Sequence, residues 1–177
     1  MRIVYLLATI TAISAGAGMI ASCGDSSTES TETHVTGKSK EAIGKYLILT
    51  AGCNDCHTAG WKRGADVPEA EWLTGVPEGW RGPWGTTYPS NLRLAVQPYT
   101  EETFVKTMKA RNAKPPMPWR SLHAMTDENL GAVFAYIKSL GPAGTAMPAD
   151  LPPGKEPVTP YLSSVLIQPK HAETAPK

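Results

Sequence analysis

The chain has 177 residues, 41% of them hydrophobic and 19% charged, with a formal net charge of +1. That near-neutral balance gives no reason to expect nucleic-acid binding, and the length indicates one domain with tails. Sixteen glycines and sixteen prolines make much of the chain loop, so a cofactor could compensate for a modest core.

Residues 1–22 are read as lying outside the fold. Arg2 gives a short positive start, and Ile3 to Ile20 is apolar or small throughout. This is the pattern of a secretory signal. It ends Ile20-Ala21-Ser22-Cys23, which resembles the lipobox of bacterial lipoproteins. The resemblance implies cleavage before Cys23 and lipidation of its thiol, and several acyl chains hold a protein at a membrane far better than one. An uncleaved membrane helix is the competing reading, since the apolar stretch is near the spanning minimum. Either way the domain is expected to be membrane-tethered and to face an exported compartment. Residues 23–37 are Ser/Thr-rich, with Val35 as their one large apolar side chain. Such a stretch buries too little surface to order itself, so it is expected to be a flexible tether with His34 solvated.

Ser39 to Ala51 reads as the first helix. Ser39 can cap it, Glu41 suits the positive end of its dipole, and Ile43, Leu47 and Thr50 form one face beside Tyr46. Gly44 costs helix stability, which points to a close backbone crossing. Gly52 ends the helix just before Cys53-Asn54-Asp55-Cys56-His57.

That pentapeptide is C-x-x-C-H, the attachment signature of a c-type haem. Two thiols spaced by two residues can both reach the vinyl groups on one porphyrin edge. The following histidine is then held beneath the macrocycle as an iron ligand. A thiol–disulfide site would want alternating strands and helices, and a zinc site a second Cys or His pair. Neither pattern is present.

Between Thr58 and Tyr99 no long periodic segment occurs, apart from a possible helical turn at Ala70 to Leu73. Trp72, Trp80 and Trp84 sit among prolines and glycines. Such loops close over something apolar, either a haem or a satellite cluster. Their indole N–H groups and Arg81 could reach haem propionates. Thr100 to Arg111 reads as a helix capped by Thr100 and buried along Phe104, Val105 and Met108. Lys114-Pro115-Pro116-Met117-Pro118-Trp119 then breaks it. A methionine on so stiff a loop has no helical partner and is displayed as an axial thioether should be. Met117 is therefore the candidate second ligand, with His123 as the rival. Met108 and Met125 are explained by packing, Met125 as half of a hydrophobic staple with Leu130, and Met147 lies in the tail. Thr126 to Leu140 is the clearest helix. Thr126 caps it, and Leu130, Val133, Phe134 and Ile137 form its apolar face. Ala132 and Gly131 could admit the first helix near Gly44.

Taken together these pieces resemble a class I c-type cytochrome of the bacterial monohaem kind, over about 104 residues from Lys38 to Gly141. The matching stretches are Gly44-Lys45-Tyr46-Leu47, Cys53 to Thr58, Gly85-Thr86-Thr87-Tyr88, Asn91-Leu92, the Pro-flanked Met117, Met125 to Leu130, and Ala135 to Leu140. The resemblance implies an all-α cytochrome c fold, three to four helices around one covalent haem c, with long loops. It further implies thioether links at Cys53 and Cys56, axial ligation by His57 and Met117, and crossed terminal helices. Many relatives place a proline directly before the Asn-Leu pair; here it is Ser90, with Pro89 one earlier. Which backbone carbonyl receives the proximal imidazole N–H is thereby left open.

Residues 142–177 hold half of the prolines and a short apolar patch, Tyr161-Leu162 and Val165-Leu166-Ile167. They read as an extended tail that wraps the domain, docks on a partner or stays free. His171 is expected to be solvated. The expected function is electron transfer by a membrane-anchored carrier on the periplasmic side, exchanging electrons with a dehydrogenase, a respiratory complex or a terminal oxidase. The carrier is not itself an enzyme. Two alternatives are a haem subunit of a larger dehydrogenase or oxidase complex, and a gas-binding sensor with an open iron; a thiol oxidoreductase is more distant. Lys106, Lys109, Arg111, Lys114 and Arg120 frame Met117 with no acid between Phe104 and His123, a positive rim for an acidic partner or an ordinary solvated face.

Overall fold

The structure, a computed structural model, describes residues 34–164. The signal segment, Cys23, most of the tether and residues 165–177 with His171 lie outside the described residues. Within them are six α-helices and three short strands: α1 (Lys40–Thr50), α2 (Cys53–His57), β1 (Gly79–Gly82), β2 (Gly85–Thr87), α3 (Leu92–Ala95), α4 (Glu101–Ala110), α5 (Trp119–Ala124), α6 (Asp127–Ser139) and β3 (Tyr161–Ser163). No described helix is long and apolar enough to cross a membrane.

Helices α1 and α6 form the frame. Both start where their caps dictate: Ser39 Oγ accepts from Ala42 N at 3.1 Å, and Thr126 Oγ1 from Asn129 N at 3.1 Å. They cross at Gly44. A Cβ there would lie 2.0 Å from the Ala132 carbonyl oxygen and 2.6 Å from Tyr136 Cβ, so only glycine lets the backbones touch. Gly131 faces another neighbour, the Glu101 carboxylate of α4. Behind the crossing, Leu47, Ile48, Val133 and Ile137 join Phe104, which packs on Phe134 with ring centroids 5.2 Å apart. Met108 packs on this core as its helical position required.

A buried arginine closes the far end of α6. Arg93 is 6% exposed and donates through Nε to Gly141 O at 2.6 Å, through Nη1 to Ala70 O at 2.5 Å, and through Nη2 to Leu140 O. A cation on the last carbonyls of a helix complements its dipole and satisfies acceptors that have no partner within the helix. The Tyr136 hydroxyl donates to Glu69 Oε1 at 2.8 Å, and Lys45 pairs with the same carboxylate.

Three features depart from the sequence reading. The all-α expectation does not hold in the Gly/Pro-rich stretch between Thr58 and Tyr99, where β1 and β2 form an antiparallel hairpin and β3 of the tail adds in parallel, in the order β2-β1-β3. Strands of three or four residues carry too little alternation to be seen as periodicity, and the residues of β3 pair with β1 residues 82 positions earlier in the chain. Helix α5 forms directly after the prolines that end the Met117 loop. The tether is not free at its end: Val35 N donates to Asn129 Oδ1 at 3.0 Å and its side chain packs on the core, while His34 is exposed.

The first part of the tail wraps the domain. Leu151 exchanges two backbone hydrogen bonds with Thr86, at 3.0 and 2.8 Å, and β3 runs beside β1 with Ser164 N donating to Arg81 O at 2.8 Å. Pro157 is buried, and Glu156 pairs with Arg81 while accepting from the Tyr161 hydroxyl at 3.0 Å. Residues 142–164 thus form a strap over the hairpin.

Candidate functional site

The C-x-x-C-H motif is itself the short helix α2. Gly52, at φ +68°, turns the chain sharply between α1 and α2. One helical turn brings Cys53, Cys56 and His57 together, and both thiols are free and half-buried. Asn54, 1% exposed, locks the turn from inside: its Oδ1 accepts from Thr58 Oγ1 at 2.7 Å, and Thr58 Oγ1 in turn accepts from Leu73 N at 2.8 Å. A cleft of about 280 Å³ opens beside Cys56, walled by Thr58, Lys62, Trp80, Pro89 and Leu162 of the strap.

His57 is oriented by one bond. Its Nδ1 lies 2.7 Å from the Ser90 carbonyl oxygen. A carbonyl can only accept, so Nδ1 carries the proton and the neutral ring keeps its lone pair on Nε2. Burial pushes the imidazole below its ordinary pKa, against the opposing pull of the Ser90 carbonyl. The buried ring is thus a neutral base with Nε2 ready to bind a metal. This also answers which carbonyl serves: the acceptor stands directly before the Asn-Leu pair although its residue is serine.

The thiols are poorly suited to redox exchange. Burial pushes the Cys53 thiol up to about 11 and raises Cys56 as well, and Asp55 adds to both. Reactive cysteine pairs instead have thiols lowered to ~3.5–7.5. Among the described residues no group of three or more His, Cys, Asp or Glu is placed to hold a metal ion, so zinc has no ligand set at these thiols.

Met117 is half-buried on the loop between α4 and α5. The loop is held by Thr87, whose Oγ1 donates to Pro115 O at 2.7 Å. Thr87 lies three residues before Ser90. The segment Thr87 to Ser90 therefore grips both the Met117 loop and His57. His123, the rival ligand, is engaged elsewhere: its Nε2 donates to Arg111 O at 2.9 Å and fastens α5 to the end of α4. Met147 packs against Gly75.

Four buried polar side-chain atoms have no partner among the described residues: Asn54 Nδ2, Trp84 Nε1, Thr86 Oγ1 and Trp119 Nε1. A buried donor left unpaired costs about 1–3 kcal/mol. Two of them are indole N–H groups, one in the hairpin and one beside Met117, and both fit acceptors such as haem carboxylates. Of the tryptophans flagged in the sequence, Trp72 has already given its N–H to Val67 O at 2.9 Å and meets Trp61 edge-on in the core. Trp80 lies under Lys62 Nζ, 4.3 Å from its ring centroid. Arg81 is committed to Glu156 and Tyr161 of the strap.

The family model for cytochrome c matches residues 41–141, more than half of the chain. The chain belongs to the cytochrome c family. This membership brings covalently attached haem c and haem-based electron transfer, and the helical frame fits the cytochrome c fold. No curated protein and no solved structure matches the chain. The match ends at Gly141, so the strap lies beyond the cytochrome c model.

Sequence reasoning missed the Thr87 latch and buried Arg93. The Gly82-Pro83 dipeptide was the available signal for the hairpin that carries Thr87. Nothing local marks Arg93, because its partners are carbonyls 23 to 48 residues away.

Proposed function

We propose that this cytochrome c is a single-haem electron carrier tethered to a membrane by a lipid on Cys23 and facing the periplasm. Residues 1–22 would direct export, 23–37 form the tether, 38–141 the haem domain, and 142–177 the tail that begins as the strap. Cys53 and Cys56 are assigned as the thioether attachment points. His57 and Met117 are assigned as the two axial ligands. The observation that carries this ligand pair is the grip of Thr87 to Ser90 on both sides: Ser90 orients His57, and Thr87 holds the loop that displays Met117. When bound, haem c would supply a one-electron ferrous–ferric couple, and a thioether ligand in addition to the imidazole would raise its potential. The chain's own part is positional. Asn54 and Thr58 fix the turn that spaces the thiols, Ser90 fixes the imidazole, and Trp84 and Trp119 offer buried donors to the cofactor's acids.

The partner is proposed to be an acidic redox protein, a dehydrogenase, respiratory complex or terminal oxidase. Lys106, Arg111, Lys114 and Arg120 are exposed around the Met117 loop. Lys109 is partly neutralised, 3.5 Å from Asp127. A like-signed rim speeds encounter with an opposite one and is screened by salt. Rapid mixing of the reduced holoprotein with an acidic redox partner should give second-order electron transfer whose rate falls roughly tenfold from low to physiological salt. Absence of transfer would remove the carrier reading, and a rate indifferent to salt would remove the charged rim.

A further inference from the structure

The Ser90 carbonyl orients His57, yet Ser90 sits in irregular backbone between β2 and α3. The domain itself anchors this loop: Val76 N donates to Pro89 O at 3.1 Å, Leu92 N and Arg93 N to Leu73 O at 2.9 and 3.4 Å, and Thr87 Oγ1 to Pro115 O at 2.7 Å. Further anchors come from the strap. Upstream of Ser90, Leu151 pairs with Thr86 through both backbone bonds, and Asp150 Oδ1 accepts from Tyr88 N at 3.2 Å. Downstream, Asn91 Nδ2 donates to Ala143 O at 2.8 Å and Thr145 O at 3.2 Å. Beneath the loop, Met147 fills the space over Gly75. A Cβ on Gly75 would meet Met147 Cγ at 2.6 Å and Asn91 N at 2.8 Å, so strap, glycine and proximal loop are stacked without slack.

We propose that the first part of the strap, residues 142–151, positions the Ser90 carbonyl against His57, with Asp150 and Leu151 as positioning residues, and so sets the reduction potential of the haem. A group that hydrogen-bonds the remote nitrogen of a ligating imidazole raises its basicity and favours the more oxidised metal. Two strap contacts lie two and four residues before Ser90, and two more are made by the next residue. They hold the carbonyl at the 2.7 Å that makes this bond strong. Loosening them weakens the bond and shifts the couple toward the ferrous form. The strap lies outside the matched region 41–141, so its influence on the haem is an addition made by this chain's tail.

The proposal rests on His57 being an axial ligand, and its test separates the two claims. The holoprotein is compared in three forms: wild type, a disrupting pair Asp150→Ala with Leu151→Pro, and a conservative pair Asp150→Asn with Leu151→Ala. The disrupting pair removes the acceptor for Tyr88 N and the backbone donor to Thr86 O. The conservative pair retains both. Asp150→Ala alone serves as a second probe should the proline prevent folding, since Asp150 is exposed. Two quantities are read: the midpoint potential, and solvent exchange of the His57 Nδ1 proton in the ferrous protein by proton NMR. The disrupting pair should raise the potential, so that at the wild-type midpoint the ferrous-to-ferric ratio rises several-fold, and should speed Nδ1 exchange. The conservative pair should match wild type. An unchanged potential and exchange rate in the disrupted protein would overturn the strap's role, as would an equal change in both pairs. A wild-type protein without a haem-shifted His57 ring would overturn the ligand assignment itself.

Discussion

Gly44→Ala is expected to lower the melting temperature of the domain by roughly 10 °C, a net loss of about 2 kcal/mol. Two effects oppose each other. Alanine is favoured over glycine inside a helix by about 1 kcal/mol. Against this, the new methyl would sit 2.0 Å from the Ala132 carbonyl oxygen, and that atom belongs to the backbone of the partner helix. It cannot rotate away, so α1 and α6 must separate and Leu47, Ile48, Val133 and Ile137 lose contact. Overpacking of this kind costs ~1–3 kcal/mol, occasionally more. Gly131→Ala is the matched control. Its methyl would meet only the end of the Glu101 side chain, at 2.6 Å, and a flexible exposed carboxylate can move. That variant should be neutral or slightly more stable. Thermal unfolding followed by far-UV circular dichroism decides between them. A Gly44→Ala protein as stable as wild type would show that the crossing does not depend on glycine.

Met117→Ala should lower the reduction potential by the order of 0.1 V and open the iron to carbon monoxide in the reduced protein. Axial ligands set haem potentials over a span of ~0.8 V, and exchanging a thioether for water moves the couple a substantial way down it. The far-red band that reports sulfur on iron should vanish. The fold should survive, because Met117 is half-buried on a loop and Pro115 keeps its bond from Thr87. Met108→Ala gives the opposite pattern. Met108 packs on the core beneath α4, so its loss should lower stability and leave the spectrum unchanged. Spectroelectrochemical titration of the two variants, with carbon monoxide added to each reduced form, checks the pair. An unaltered far-red band in Met117→Ala would move the ligand to another methionine. A wild type that lacks the band would point to His123, which would first have to leave the Arg111 carbonyl.

The helical frame was legible because it rests on local signals. Ser39, Thr100 and Thr126 cap the helices the sequence assigned to them, and the stripe of Leu130, Val133, Phe134 and Ile137 is buried as its spacing required. Gly44 could be read as a crossing point because nothing else explains a glycine inside that helix. Gly131 was read less well: it faces Glu101 of α4, and a helical glycine does not say in sequence which neighbour it admits. The haem motif was legible for a chemical reason, since two thiols and an imidazole at that spacing have few other uses. What escaped was held together by distant backbone. Thr87 acts on Pro115, and Leu151 pairs with Thr86, across 28 and 65 residues of chain. No propensity records such a pairing. The proximal carbonyl was undecidable from sequence for the same reason, because every residue offers one and only the fold of the loop selects Ser90. The tail was read as extended; its described part is mostly irregular backbone with strand pairing at Leu151 and at Tyr161 to Ser163, and the proline content does not say that these residues add edges to the hairpin.

The central claim is one haem c joined to Cys53 and Cys56. It is tested most directly by the mass of the intact protein, matured with haem, denatured and extracted with acidic organic solvent, for wild type and for Cys53→Ala with Cys56→Ala. The account predicts that the wild type keeps the mass of one haem through extraction and that the double variant keeps none. A wild-type protein that emerges from competent maturation with two titratable thiols and no added mass would contradict it.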